Sequence, residues 1–404
     1  MVQCQAWLVL LLPVVARGDF MLSNTIVLMS QDESIGRDVR DALGASAGAN
    51  RFLIISDAQK SLEAISSEKG VGLLLVDWDS FLPKEISNFL QKFRKIRRAK
   101  PVPFMFIAGA PTSSTVAMSM EYDALQILMR QGFKAHFKHA LSDFITRGSE
   151  ADYFQSLLDD LEASIKSKNQ KAVDEAVSLL YKKFPKNPRA IVEHGNNLLR
   201  LASFAEAIEV GNQLLELDPT NIRALTLLAR AKLHTGLFEE ALSLMEKSET
   251  LSPENVDRLV LFGEIHWSKG QHAEARQKYE AALGVDSGCV EAQKGLALVA
   301  ASVGDEAQAL SVLANSLSND EVAGFFNSAG ILASHRGRFD EAVKLYETAV
   351  KELETPEQKA KVHYNKGLAH ERAGRPEEAA AAFAEAQKLN PEFEKAHSKL
   401  KESN

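Results

Sequence analysis

Two carboxylates stand two residues apart in "LLLVDWDSF", residues 73–81, where Asp77 closes an apolar run and Asp79 follows Trp78. A carboxylate at the end of a buried segment is costly unless something pairs with it or uses it. As a nucleophile, such a group accepts a phosphoryl group. That transfer is mostly positioning and charge neutralisation, and a metal ion carries much of the latter. Mg²⁺ asks for near-octahedral oxygen ligands and takes carboxylates from the protein. Asp77 is therefore either a phosphoacceptor beside a metal or a structural acid that needs a cationic partner.

The elements that must position Asp77 are legible between Asn24 and Gly148. "TIVLMS" precedes "ESIGRDVRDALGA", "RFLIIS" precedes "SLEAISSEKG", and "GLLLVDWDS" precedes "ISNFLQKFRKI". "PFMFIAG" then precedes "STVAMSMEYDA", and "LQILMR" precedes "FKAHFKHALSDFITR". Each pair is a short apolar run followed by helical spacing. The alternation predicts an α/β domain over residues 23–148, a five-stranded doubly wound parallel sheet covered on both faces. Function in such sheets sits at the carboxyl ends of the strands, which is where Asp77 falls.

This order, with "VDWDS" closing the third strand, resembles the receiver domain of bacterial response regulators from Asn24 to Gly148. The resemblance implies a phosphoacceptor aspartate on the third strand and an acidic pair after the first strand that holds Mg²⁺. It also implies a Thr or Ser ending the fourth strand and a Lys followed by Pro ending the fifth. Those places fall on Asp77, on Ser30 and Gln31, on Ala108, and on Arg130 followed by Gln131 and Gly132. A register with the lysine at Lys138 in "HFKHA" is rejected, because "DALQILMRQGF" keeps the family's spacing up to Arg130 and leaves Lys138 for the last helix. The acceptor survives intact and the lysine survives only in charge. Asp32, Glu33 or Asp79 would have to replace the missing acids. The expected state is a degenerate pseudo-receiver without cofactor, in which Arg130 partners Asp77. Mg²⁺ enters only if the site is active.

The rest of the chain repeats. Pro185, Pro219 and Pro253 stand 34 residues apart, and Gly236, Gly270 and Gly304 keep the same step, with Gly337 and Gly374 after small slips. Ala207, Ala241, Ala275, Ala309, Ala342 and Ala379 form another column. Twelve residues before each alanine is a small residue: Gly195, Ala229, Gly263, Ala297, Gly330 and Gly367. Small residues on two consecutive helices let them cross closely. The glycine between them supplies a left-handed turn, and the proline ends the second helix. Met245, Tyr279, Leu313, Tyr346 and Phe383 follow the alanines by four and fill the groove between pairs.

This pattern resembles the tetratricopeptide repeat, a helix–turn–helix unit that stacks into a right-handed α-solenoid. About six repeats are expected over residues 188–393, beginning near Pro188, Ile222, Val256, Val290, Ala323 and Ala360. A degenerate helix pair at 152–187 precedes them, and a polar capping helix at 394–404 follows. "NSLSND" lacks its proline and "KELETPEQ" reads as an insertion, so the stack is expected to bend or loosen between 316 and 358.

Such stacks bind extended peptides or helices on the concave face. The resemblance puts Arg189, Asn196, Arg200, Arg223, Arg230, His234, Lys294, Asn327, His335, Tyr364 and Arg372 on that face. The face is basic, so the expected ligand is a peptide or helix with acidic groups. A Lys-and-Asn clamp for a C-terminal carboxylate is not matched: Asn196 fits one place, but Val192 takes the lysine's.

Composition narrows the classes. Up to Glu150 the chain has 17 Lys/Arg against 15 Asp/Glu, and the remainder has 30 against 39, or +2 and −9. A nucleic-acid binder would be basic, so no nucleic-acid partner is expected. Cys4 and Cys289 cannot build a disulfide framework or zinc site. Residues 1–22 begin "MVQCQAWLVLLLPVVARG", a tail, a mis-chosen start before Met21, or a targeting segment. No Lys or Arg precedes its apolar run, which is too short to span a bilayer. "KFRKIRRAK" at 92–100 reads as the solvated face of a helix with Phe93 and Ile96 inward. His136, His139, His363 and His370 form no metal set, and no phosphate loop or nucleophile elbow is present.

Together these patterns predict a cytoplasmic bacterial signalling adaptor, not an enzyme and without a membrane partner. It would bind protein partners through the repeat groove and the pseudo-receiver surface, with self-pairing through residues 125–145 as a further expectation. The alternative is a phosphorylation-controlled response regulator with Asp77 as acceptor and the repeats as output. An exported scaffold would require residues 1–18 to act as a signal.

Overall fold

The structure is a computed structural model and describes residues 25–43, 52–67, 71–99, 102–146, 148–314 and 316–403. The chain forms two compact units, Met1–Asn255 and Val256–Asn404. The expected tail at 1–22 and Cys4 lie outside the described residues.

In the first unit, β1 (Thr25–Met29), β2 (Phe52–Ile55), β3 (Val71–Asp77), β4 (Phe104–Ala108) and β5 (Ile127–Met129) form one sheet. All pairings are parallel and the order is β2-β1-β3-β4-β5. Helices α1 (Glu33–Leu43), α2 (Ala58–Ser67), α3 (Pro83–Ala99), α4 (Ser113–Glu121) and α5 (Phe133–Thr146) follow the strands in turn. Every residue of β1, β3 and β4 is buried, because both faces are covered. Val27, Leu74, Val76, Phe104 and Phe106 pack with Leu62, Phe89, Phe93 and Met118 on one face. Leu28, Leu73, Leu75, Met105 and Ile107 pack with Ile35, Val39, Phe137 and Ala140 on the other. The chain leaves β1 for one side of the sheet and returns to β3 on the other. The crevice at the ends of β1 and β3 is thus the switch point of the fold.

Directly after β3 comes a 3₁₀ turn, Trp78–Ser80. Trp78 is buried edge-on against Phe106, with centroids 5.3 Å apart. This anchor brings Asp79 and Ser80 back over the strand ends.

The first unit continues with α6 (Gly148–Lys166), α7 (Gln170–Lys183), α8 (Pro188–Arg200), α9 (Phe204–Leu217), α10 (Ile222–His234) and α11 (Phe238–Leu251). The second unit comprises α12 (Val256–Ser268), α13 (His272–Val285), α14 (Val290–Val303), α15 (Glu306–Leu313), α16 (Asn319–His335), α17 (Phe339–Glu352), α18 (Pro356–Arg372), α19 (Pro376–Leu389) and α20 (Glu394–Ser403). The turn position between paired helices is left-handed at Gly236, Gly270, Gly304, Gly337 and Gly374, and Ala202 takes the same conformation in the first repeat.

At Gly263, Gly330 and Gly367 the small-residue column receives aromatic rings, and at Gly195 it receives Leu227. A Cβ on Gly263 would lie 2.4 Å from the Tyr279 ring, and one on Gly295, from the next pair, 2.3 Å from the same ring. Tyr279 is thus held between two glycines. Gly330 meets Tyr346 and Gly367 meets Phe383 in the same way, at 2.6 Å and 2.4 Å.

Helices α16 and α18 begin earlier than the Ala323 and Ala360 that the repeat columns indicate. Ser318 and Glu321 form a capping box that starts α16 at Asn319. The Thr355 side chain accepts from the Gln358 N–H, with Pro356 in the first turn of α18. Within "KELETPEQ", Lys351 and Glu352 end α17, and Pro356–Gln358 open α18. The extra residues lengthen a helix.

Two glycine substitutions separate packing from propensity. Gly295→Ala should destabilise the second unit by about 1–3 kcal/mol through overpacking against Tyr279, less the gain in helix propensity. Gly284 in α13 has open space around it, so Gly284→Ala should stabilise by about 0.5–1 kcal/mol. Urea unfolding of both variants would measure the contrast, and equal effects would contradict the ring-on-glycine packing.

Candidate functional site

Asp77 lies at the switch point with no solvent exposure. Its Oδ2 accepts hydrogen bonds from the hydroxyls of Ser30, at 2.7 Å, and of Ser80. Its Oδ1 accepts from Arg130 Nη2 at 2.7 Å. The hydroxyls are themselves fixed: Ser30 Oγ accepts from the Asp32 N–H at 2.9 Å, and Ser80 Oγ from the Gln31 N–H at 3.1 Å. Both carboxylate oxygens of the expected acceptor are occupied from within the chain.

Arg130 follows β5 directly, and its N–H donates to the Ala108 carbonyl at 3.0 Å. Its guanidinium reaches three acids. Nη1 donates to Asp32 Oδ2 at 3.0 Å and Nη2 to Asp77, while Nε lies 3.0 Å from Asp79 Oδ2 in an ion pair not aligned as a hydrogen bond. Asp79 Oδ2 also accepts from the Gly109 N–H at 2.7 Å. Burial works against the Arg130 charge, but the bond and charge of Asp77, then Asp79 and Asp32, raise its pKa. The hydroxyl and N–H of Ser34 hold Asp32 below the usual carboxylate range, with Arg130 adding to the effect.

The residues present do not fit Mg²⁺. The guanidinium fills the place where the carboxylates of Asp32, Asp77 and Asp79 converge. Among the described residues no group of three or more acids, histidines or cysteines is arranged to hold a metal ion. Ser30 and Gln31 contribute a hydroxyl to Asp77 and a backbone N–H to Ser80. Ala108 offers no hydroxyl. Sequence reasoning missed Ser80, although its three-residue offset from Asp77 in "VDWDS" is the signal of a tight turn.

A second polar cluster joins the α/β domain to α8 and α10. Asp123, with φ +59°, follows α4. Its Oδ2 accepts from Arg189 Nη1 and its Oδ1 from Arg223 Nη2 at 2.7 Å. Arg223 also donates to the Glu121 carbonyl at 2.7 Å. Asn255 Nδ2 donates to Glu121 Oε1 at 3.2 Å and Tyr122 Oη at 3.1 Å. At α3, Gln91 Nε2 donates to the Glu254 carbonyl at 2.8 Å, and Lys84 pairs with the Glu254 carboxylate at 2.5 Å. Ala117 packs into the middle against Ile222, Leu225 and Leu251. Burial lowers the Arg189 pKa, with Arg223 repelling it; Arg223, also buried, is raised by Asp123. Arg189 and Arg223, expected to face a ligand, are thus paired inside the chain.

The other expected groove residues are distributed over the two units. In the first, Arg200 and Arg230 are exposed, Asn196 bonds Glu193 at 3.3 Å, and His234 stacks on Phe204 at 5.0 Å. In the second, Asn327 accepts from Asn365 Nδ2 at 3.0 Å, Tyr364 lies against Phe383 and Phe393, and Arg372 donates to Ser334 Oγ at 3.4 Å. Lys294 is half-buried on α14, and His335 is exposed at the end of α16. The basic run lies on α3 with Phe93 in the core and Ile96 packed against it; Lys100 is outside the described residues. Of the surface at 125–145, the side chains of 141–145 are likewise outside.

Two family models, both described as tetratricopeptide repeat, match this chain: one at residues 260–321 and 328–392, the other at 198–260. No curated protein matches the sequence. Among solved structures, it is similar to a tetratricopeptide repeat protein from Parabacteroides merdae, at 19% identity and TM-score 0.38, covering 62% of this chain and 98% of that one. It is also similar to the APC/C hetero-tetramer Cut9-Hcn1, at 14% identity and TM-score 0.45, covering 86% of this chain and 66% of that one. A third is Pseudomonas aeruginosa pilF, at 17% identity and TM-score 0.35, covering 53% and 95%. The helices over residues 198–321 and 328–392 thus match tetratricopeptide repeats, and proteins built of such repeats generally act as interaction scaffolds. No helix among the described residues is long and apolar enough to cross a membrane.

Asp123→Ala would leave two largely buried guanidinium groups without their acid. It should destabilise the first unit by about 3 kcal/mol, the low end for a broken buried pair because the side chains remain partly exposed. Thermal unfolding measures the loss, and faster trypsin cleavage between 146 and 190 would show that the α/β domain has come away from α8 and α10.

Proposed function

We propose that this protein is a non-catalytic signalling adaptor of the bacterial cytoplasm, in which a degenerate receiver-like domain is carried on an interaction scaffold of tetratricopeptide repeats. The reading of the α/β domain as receiver-like rests on the strand order, with Asp77 ending β3 and Arg130 following β5. The observation that carries the function is the contrast among the arginines of α8 and α10. Arg189 and Arg223 are paired with Asp123, whereas Arg200 and Arg230 are exposed and without an ion pair among the described residues. Two uncompensated guanidinium groups on the first helices of consecutive repeats suit a partner segment bearing carboxylates, since arginine binds carboxylates in a bidentate fork.

Phosphorylation control is the weaker reading, because Asp77 already accepts three hydrogen bonds and is closed to solvent. The adaptor would hold its partner without turnover. A fluorescein-labelled glutamate-rich peptide should bind the full chain with an affinity that falls as salt rises. Replacing Arg200 and Arg230 together by Glu should weaken it at least about tenfold, or ~1.4 kcal/mol. Equal affinity in the double variant, measured by fluorescence anisotropy, would remove these arginines from the binding face.

A further inference from the structure

We infer that Arg130 is a resident cation: its guanidinium occupies the position a divalent ion would need, and it makes the acidic corner permanently closed to metal and to phosphoryl groups. The inference concerns the α/β domain alone and stands or falls independently of what the repeat groove binds.

The argument is geometric. A metal at this corner would have to sit among Asp32, Asp77 and Asp79, the carboxylates that converge there. All three are already within 3.0 Å of one guanidinium, each through a different nitrogen. A planar guanidinium with five N–H donors in fixed directions satisfies several acids at once without changing its own protonation. It supplies one positive charge where Mg²⁺ would supply two, and it cannot be diluted away or chelated.

The surroundings make the arrangement hard to undo. The Arg130 backbone is tied to Ala108 on β4, which fixes the root of the side chain beside the carboxylates, and three ion pairs hold its head. Asp77 Oδ2 is occupied by two hydroxyls, each fixed by a backbone N–H from the segment after β1. An incoming phosphorus would need one of these oxygens as a free nucleophile with a path to solvent, and Asp77 has neither. The absence of a hydroxyl at Ala108 follows the same logic, since nothing arrives there to be bonded.

The inference distinguishes two explanations for a silent corner. If the missing acids at Ser30 and Gln31 were the sole cause, removing Arg130 would change nothing about metal. If the guanidinium is the cause, a neutral residue of similar length should uncover the carboxylates.

The experiment is thermal unfolding of the full chain with EDTA or millimolar Mg²⁺, alone and with beryllofluoride, which stands in for an aspartyl phosphate. The wild-type melting temperature should be the same in all conditions. Arg130→Met should melt lower in EDTA and recover part of the loss with Mg²⁺, and the recovery should vanish when Asp77→Asn is added. Arg130→Lys retains a cation and should remain insensitive to Mg²⁺. A wild-type shift with Mg²⁺ that Asp77→Asn abolishes would overturn the inference, even if Arg130→Met fails to fold. A folded Arg130→Met that ignores Mg²⁺ would overturn it equally, by showing that the guanidinium is not what keeps metal out.

Discussion

A carboxylate with no exposed surface must find its hydrogen bonds inside the protein, and the arrangement around Asp77 follows from that requirement. β3 is apolar along its length because both faces of the sheet are covered, so its last residue emerges at the crevice already out of water. Three segments close on it: the residues after β1 through Ser30, the 3₁₀ turn through Ser80, and the end of β5 through Arg130. Remove the acid and each segment loses one of the bonds that hold it at the crevice. The corner is a structural knot drawn together by one buried carboxylate.

The repeats obey a different constraint. Where a ring fills the groove it sits on a glycine, an arrangement with little tolerance: Tyr279 is enclosed by Gly263 and Gly295 with no room for a methyl group on either. Interiors at crystal-like density transmit such restrictions. Large and small residues must therefore recur in phase, which is why the repeat is so plain in the sequence. The irregular stretch after α15 keeps this phase, with Tyr346 on Gly330 and Phe383 on Gly367, and takes up its extra residues as earlier helix starts.

What the sequence discloses follows the range of the forces involved. Continuous apolar runs mark the strands, most plainly β1, β3 and β4, because a strand buried on both faces has little choice of residue. Arg130 was singled out through the resemblance to receiver domains, whose spacing "DALQILMRQGF" keeps, and it is the residue that pairs with Asp77. The starts of α16 and α18 were misjudged because the repeat columns were extended past local signals that point elsewhere: Ser318 with Glu321, and Thr355 before Pro356. Asp123 was invisible for another reason. It meets Arg189 and Arg223 across 66 and 100 residues of chain, and a single long-range pairing leaves no periodicity to read. The groove arginines were chosen by position within the repeat, which does not reveal that another part of the chain already holds two of them.

The two polar clusters of the first unit are connected by one short element. β5 has three residues; Asp123 stands just before it and Arg130 just after. At one end the chain is tied to α8 and α10 through two guanidinium groups, and at the other to β1 and β3 through the carboxylates of Asp32 and Asp77. Between them, β5 is hydrogen-bonded along β4 in a fixed register. A strand this short, anchored at both ends by ion pairs, resists sliding, because either displacement separates a charged group from its counter-ion. The arginine that closes the acidic corner and the aspartate that docks the sheet on the repeats therefore reinforce each other. The α/β domain is thereby tied in place at both ends of its edge strand.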